Sequence, residues 1–258
     1  MTALAARRRH PMAPVVLVLL GLIVTGLAYA GAAPATAAPA AGDEVAMGKQ
    51  LFLANCATCH GTNAEGRANA PSLVGVGAAA ADFQVGTGRM PLQNSGPQAP
   101  QQEVRFTDEE IKAIAAYVAS LGPGPSIPGA DATDPAKGDP AKGGDLFRTN
   151  CAMCHNFAGK GGALTRGKYA PDLSNTPPDK IYEAMVTGPQ SMPVFSDTSL
   201  DPESKRNIIS YLRTINTQPS PGGLNLGGLG PVTEGLVGWV VGLVALIGCA
   251  VWLGAKSS

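Results

Sequence analysis

The apolar positions of this chain fall into two kinds of pattern, unbroken runs near its ends and short helical stripes between them. Val15 to Leu27 is an almost continuous apolar run, and Gly235 to Ala255 is an uncharged apolar segment of 21 residues with Trp239 and Trp252 near its edges. The second has the length and interfacial aromatics of a membrane-spanning helix. Between the ends, apolar residues three and four apart predict amphipathic helices. Val45 to Asn55 carries Leu51 and Phe52 on a short stripe. Thr107-Asp108-Glu109-Glu110 reads as a capping box that opens a helix with Ile111, Ile114, Ala115, Val118 and Leu121 on one face. A helix-like run covers Asp179 to Val186, and another starts at Asp201, has Pro202 in its first turn and carries Ile208, Ile209, Leu212 and Ile215. Strand-like runs are scarce, so the pattern predicts an all-α fold.

The middle of the chain is written twice. Gly48, Leu51, Phe52, Asn55, Cys56, Ala57, Cys59 and His60 recur as Gly143, Leu146, Phe147, Asn150, Cys151, Ala152, Cys154 and His155. Downstream, Ala70-Pro71-Ser72-Leu73 answers Ala170-Pro171-Asp172-Leu173, Met90-Pro91 answers Met192-Pro193, and Tyr117 answers Tyr211. A repeat at this spacing signals a duplicated domain. The expected division is 45–121 and 143–217 for the two domains, with an Ala/Pro linker at 31–44 and Pro/Gly linkers at 122–142 and 218–234. Residues 1–30 are a signal peptide or an amino-terminal anchor, and 235–255 is the transmembrane helix. Within 122–142, Asp134-Pro-Ala-Lys-Gly138 is repeated at once as Asp139-Pro-Ala-Lys-Gly143, which reads as a semi-extended spacer between domains that either move or stay fixed.

The repeated core of each half is Cys-x-x-Cys-His, as Cys56-Ala57-Thr58-Cys59-His60 and Cys151-Ala152-Met153-Cys154-His155. Two thiols one helical turn apart can each add to one vinyl group of a porphyrin while the next imidazole reaches its iron. Two motifs imply two covalently bound haem c groups. A zinc site would draw on all four cysteines or on distant histidines, and the only other histidine is His10. A thioredoxin-like redox pair would need one motif inside an alternating strand and helix pattern. For the far side of each ring the candidates are Met90 and Met192, soft thioethers that raise a haem potential. Each precedes a proline in a glycine-bearing segment, Gly86-Thr87-Gly88-Arg89-Met90-Pro91 and Gly188-Pro189-Gln190-Ser191-Met192-Pro193. Ordinary core packing is the alternative, and it suits Met185 inside its helical run better. Tyr117 and Tyr211 read as core.

Composition narrows the chemistry further. The formal net charge is zero, but residues 31 to 234 hold 19 acidic and 15 basic residues, so nucleic acid is not a partner. The stretch from Gly42 to Leu121 has 8 acidic and 5 basic residues, and Gly143 to Thr217 has 7 and 8. The more acidic first domain either steers a basic redox partner or is simply well solvated. No acid and base pair, nucleophile beside a histidine, or phosphate loop is present, so no catalytic residue is assigned. With histidine and methionine on both irons, electron transfer remains.

The termini set the expected location. Arg7-Arg8-Arg9 before the apolar run and Ala28-Tyr29-Ala30 after it fit a secretory signal cut after Ala30, or a retained anchor. Lys256 beyond the last apolar segment places the carboxy terminus in the cytoplasm and the haem domains on the extracytoplasmic side of the cell membrane. Cys249 lies within the span and fills space.

Each half resembles a class I cytochrome c domain, which implies a small helical fold where haem stands in for much of the core. The whole arrangement resembles the diheme cytochrome c subunit of the actinobacterial cytochrome bcc complex, which oxidises menaquinol. The likeness is carried by Gly48-Lys-Gln-Leu-Phe52, Thr87-Gly-Arg-Met-Pro91, Gly143-Gly-Asp-Leu-Phe147, Asn156-Phe-Ala-Gly-Lys-Gly-Gly-Ala-Leu164, Gly167-Lys-Tyr-Ala-Pro-Asp-Leu173 and the glycine-rich approach to the last helix. It implies a cytochrome b subunit, a Rieske iron-sulfur subunit as electron donor and a terminal cytochrome c oxidase as acceptor. The alternatives are a diheme subunit serving another dehydrogenase or oxidase, and a diheme peroxidase-type enzyme with an open iron site.

Overall fold

The computed structural model describes residues 12–32, 41–94, 96–218, 226 and 231–256. Arg7 to Arg9 and most of the 31–44 and 218–234 linkers lie outside the described residues. The chain clusters into two units, residues 1–40 and 41–258. The first contains α1 (Ala13–Ala32), whose large apolar side chains are exposed. In the second unit, α11 (Pro231–Lys256) ends the chain, and its stretch Thr233–Ala255 has a mean hydropathy of 2.4 with none of it buried. Among the described residues it is the one helix long and apolar enough to cross a membrane; the apolar part of α1, Ala13–Tyr29, is shorter.

Between these helices the fold is helical and twofold in plan. The first half comprises α2 (Ala41–Asn55), α3 (Ala57–His60), α4 (Ala78–Gly86) and α5 (Asp108–Ser120). The second comprises α7 (Pro140–Asn150), α8 (Ala152–His155), α9 (Pro178–Thr187) and α10 (Pro202–Thr217). The second half adds a ladder of two residues per strand, β1 (Gly162–Ala163) antiparallel to β2 (Tyr169–Ala170), with Gly162 opposite Ala170. The expected caps form. Thr107 Oγ1 accepts from Glu110 N at 3.3 Å while Glu110 Oε2 accepts from Thr107 N at 2.9 Å, and Asp201 Oδ1 accepts from Ser204 N at 2.7 Å. Each satisfies amide groups that a helix start otherwise leaves unpaired.

In both halves the motif-bearing helix crosses the last helix at a glycine. A Cβ on Gly48 would lie 1.9 Å from the Ala113 carbonyl oxygen, and one on Gly143 would lie 1.8 Å from that of Asn207. No side chain fits between the two backbones. One turn further on, Phe52 meets Tyr117 with ring centroids 5.2 Å apart, and Phe147 meets Tyr211 at 5.5 Å. Tyr117 and Tyr211 are buried, as core packing requires. Met185 is buried too, in a second-half cluster with Phe147, Ile181, Ile208 and Leu212. The first half has two smaller clusters, one around Phe52 and Tyr117 and one around Val85, Ile111 and Ile114.

The segment 122–142 differs from a semi-extended spacer. It contains α6 (Ala130–Thr133) and a 3-10 turn at Pro135–Lys137, and its last residues already belong to α7. The repeated Asp-Pro-Ala-Lys-Gly is a pair of helix starts. Asp134 Oδ1 accepts from Ala136 N at 3.0 Å, Asp139 Oδ1 accepts from Ala141 N at 2.9 Å and Lys142 N at 3.2 Å, and each aspartate is followed by proline in the first turn. Asp139 N and Ser210 Oγ then tie the segment to α10, through Asn207 Oδ1 at 2.8 Å and the Gly138 carbonyl at 3.3 Å.

The two halves also touch. Lys180, on α9, forms ion pairs with Asp82 on α4 and with Asp179 Oδ2 at 3.2 Å, and donates a hydrogen bond to Glu183 Oε2 at 3.0 Å. Glu183 has no exposed side-chain surface. Burial, and then the neighbouring Asp82 carboxyl, push the pKa of Glu183 up to about 9, so it stays protonated at neutral pH. Burial opposes the charge on Lys180, but Asp82 and Glu183 outweigh it and its pKa rises. Gln98 adds two hydrogen bonds to β2, donating from Nε2 to the Tyr169 carbonyl at 2.9 Å and accepting at Oε1 from Tyr169 N at 2.8 Å.

Two outcomes follow from this packing. Gly143→Ala should force α7 off α10 and cost about 2–3 kcal/mol, read as a lower thermal midpoint of the haem-loaded chain; an unchanged midpoint would show that the crossing can relax. Above the ordinary carboxyl value of 4.5, the unfolded chain releases the Glu183 proton that the folded chain keeps until about 9. Stability therefore falls as pH rises across that window, and Glu183→Gln should flatten the fall in a denaturation series at pH 5 to 9.

Candidate haem sites

Each Cys-x-x-Cys-His motif is a single helical turn continued from the helix before it. Cys56 N donates to the Phe52 carbonyl at 2.8 Å and Cys151 N to that of Phe147 at 2.8 Å, so α2 and α7 run into the motif. His60 N and His155 N then reach back to the carbonyls of Cys56 and Cys151 at 3.0 and 2.9 Å. The turn puts the first cysteine half-buried and the second exposed in both motifs, and both histidines are buried. Burial, followed by the second thiol, raises the pKa of Cys56 to about 11 and that of Cys151 to about 12. Before a haem is attached, both are neutral thiols at physiological pH.

The histidines are held alike. His60 Nδ1 lies 2.8 Å from the Pro71 carbonyl and His155 Nδ1 lies 3.1 Å from the Pro171 carbonyl. A carbonyl can only accept, so Nδ1 carries the proton and Nε2 keeps its lone pair free for a metal. Burial lowers the pKa of His155 against the opposing Pro171 bond, which favours the neutral ring that coordination needs. The loop supplying each carbonyl is pinned the same way, by Leu73 N on the Ala64 carbonyl at 2.8 Å and Leu173 N on the Gly159 carbonyl at 2.8 Å.

In the second half the motif opens on a mostly apolar cavity of about 390 Å³. Cys151, Cys154, His155 and Met192 all line it, with Phe147 and Leu212 among its walls. These donors and this volume fit a covalently held porphyrin between an imidazole and a thioether. Met192 follows Gly188, whose left-handed φ of 59° leaves no room for a side chain, since a Cβ there would lie 2.9 Å from the Met192 carbonyl oxygen. In the first half, Met90 is half-buried against Val85, Ile111 and Ile114. Gly88, at φ 69°, passes so close to Gln102 that a Cβ would lie 2.0 Å from its carbonyl oxygen. Both methionine segments are thus shaped by glycine.

The second cavity has walls that the sequence did not mark. Phe83, Thr87, Arg89 and Gln98 of the first half line it together with the second-half donors. The available signal was an asymmetry in the repeat, since Arg89 stands where the second copy has Ser191.

Two small helical domains, each with this turn, define a c-type cytochrome with two haem c groups attached covalently. Residues 45–122 match the family model described as cytochrome c, and residues 138–212 match the model described as cytochrome c oxidase, cbb3-type, subunit III. The chain is 50% identical over 216 residues to the cytochrome bc1 complex cytochrome c subunit of Mycobacterium tuberculosis, covering 81% of this chain and 77% of that one. It is 48% identical over 235 residues to the subunit of the same name from Corynebacterium diphtheriae, covering 83% of each. It is also 30% identical over 190 residues to the cbb3-type cytochrome c oxidase subunit FixP of Bradyrhizobium diazoefficiens, covering 66% of this chain and 60% of that one. The chain belongs to the family of cytochrome c subunits of the cytochrome bc1 complex.

Proposed function

We propose that this chain is the membrane-held electron carrier of a menaquinol-oxidising bc1-type complex, receiving electrons from a Rieske iron-sulfur subunit beside cytochrome b and delivering them to a terminal cytochrome c oxidase. Cys56 and Cys59 attach the first haem, and His60 and Met90 ligate its iron. Cys151 and Cys154 attach the second, ligated by His155 and Met192. When bound, each haem supplies a reversible one-electron iron couple. The observation that carries the reading is the second-half cavity on which both thiols, the imidazole and the thioether converge. With both axial positions filled from the chain, neither iron is open to substrate, which supports electron transfer over a peroxidase-type reaction.

The chain's own residues prepare the sites. The carbonyls of Pro71 and Pro171 fix each imidazole in the tautomer that would coordinate, and the glycine-shaped segments before Met90 and Met192 would present the second ligand. We place α11 across the cell membrane as the anchor, with the haem domains extracytoplasmic and the carboxy terminus cytoplasmic. The domains are taken as 45–121 and 143–217. The likeness to FixP favours an oxidase-bound carrier as the second reading, and it covers less of both chains.

Replacing Met192 by His should keep the second iron six-coordinate and lower one of two haem potentials by on the order of 0.1 V or more, within the roughly 0.8 V that axial ligands span. An unchanged titration removes Met192 as ligand. For the assignment to a complex, gentle solubilisation and purification through a tag on this chain should bring down cytochrome b and a Rieske protein, with c-type haem reduced on addition of menaquinol. Recovery with an oxidase or dehydrogenase and without cytochrome b would favour the second reading.

A further inference from the structure

The cavity of the second half is closed partly by the first, and one of the closing side chains lacks a counter-charge. Arg89 and Lys180 are the lysine or arginine side chains on its lining. Lys180 is committed to Asp82, Asp179 and Glu183. The Arg89 residue is only 8% exposed, and its guanidinium makes no hydrogen bond or ion pair among the described residues. It lies over the Phe83 ring, with Cζ 5.0 Å from the centroid. That contact orients the guanidinium plane but supplies no anion.

Haem c brings the missing charge. Its two propionates are carboxylates, and a carboxylate entering an apolar cavity needs a donor there. A guanidinium is the side chain best matched to one, through two parallel N–H bonds. The geometry points to Arg89 as a residue of the first domain that binds a propionate of the second domain's haem. This rests on the reading that Cys151, Cys154, His155 and Met192 hold that haem.

The surroundings fix Arg89 at that place. Gln98 grips the backbone of Tyr169 through both amide atoms, and Ala99 N donates to Gln190 Oε1, two residues before Met192, at 3.2 Å. On the other side Asp82, one residue before Phe83, is held by Lys180. The repeat makes the role one-sided, because the matching Ser191 accepts from Lys168 Nζ at 2.8 Å within its own domain. Arg89 is bonded directly to Met90, so a single peptide unit joins the proposed ligand of the first iron to the cation that holds the second haem. A fixed positive charge beside that haem favours its reduced state and raises its potential.

The test is a spectroscopic redox titration of the full-length chain as wild type, Arg89→Gln and Arg89→Lys, with covalent haem content measured alongside. Met90→His and Met192→His identify which titration component belongs to which haem. In Arg89→Gln, the component that Met192→His moves should shift to lower potential while the other stays, and Arg89→Lys, which keeps the charge, should recover part of the shift. No shift, or a shift confined to the component that Met90→His moves, overturns the proposal. Should Arg89→Gln lose a haem, Arg89→Leu, which also removes the charge, is titrated in its place: a Met192 component at lower potential supports the proposal, and one at the wild-type potential overturns it. Failure of the underlying reading looks different, since wild type would then lack two covalent haems or a component sensitive to Met192.

Discussion

Everything in each half is placed relative to one helical turn whose side chains must meet a rigid ring at three points. On the proposed assignment, two thioethers and an imidazole from five consecutive residues would leave the ring no freedom to slide, which asks for a firmly held helix. That explains the glycine crossings. At Gly48 and Gly143 the backbones of the first and last helices meet without an intervening side chain, and the aromatic pairs Phe52–Tyr117 and Phe147–Tyr211 lock the same crossing one turn later. The carbonyls of Pro71 and Pro171 then hold each imidazole. With so few large apolar residues, a domain of this size gains much of its interior from the prosthetic group.

Much of this was legible from residue order because the local rules are strong. The capping box at Thr107, Pro202 after Asp201, and the two cysteine motifs each specify a backbone conformation within a few residues. Helix α4 escaped detection because Ala78 to Ala81 form no apolar stripe that differs from their surroundings. The Asp-Pro-Ala-Lys-Gly repeat was read from its composition as a spacer, although an aspartate before proline is also a helix cap with proline at the first helical position. There the positional meaning of each residue outweighed the average property of the segment.

What residue order could not show was the contact between the halves. Lys180, Asp82 and Glu183 are ordinary polar residues in an alignment of the two copies, and only the fold brings them together with Glu183 fully buried. A neutral Glu183 leaves Lys180 to balance the Asp82 carboxylate inside the interface, with the Asp179 carboxylate at its exposed rim. Such a cluster is tolerable in an interface where an uncompensated ion would be costly. Burial keeps the Glu183 carboxyl in its neutral form, so loss of its proton should weaken the contact between the halves.

The same contact breaks the symmetry that duplication created. Two identical haem domains side by side would each close their own cavity, and an electron would find two equivalent sites. Here the first domain closes the second domain's cavity with Phe83, Arg89 and Gln98, while the second copy spends the matching position, Ser191, on its own Lys168. The second cavity therefore carries a charge from the first domain, even though the two attachment turns share their backbone bonds and their histidine–carbonyl contacts. On the proposed function, a difference in potential between the two irons would favour one direction of transfer between them over the other. If Arg89 holds the second haem as proposed, the contact that docks the domains also biases their potentials, because Asp82, Arg89 and Gln98 belong to one stretch of the first domain that meets the second.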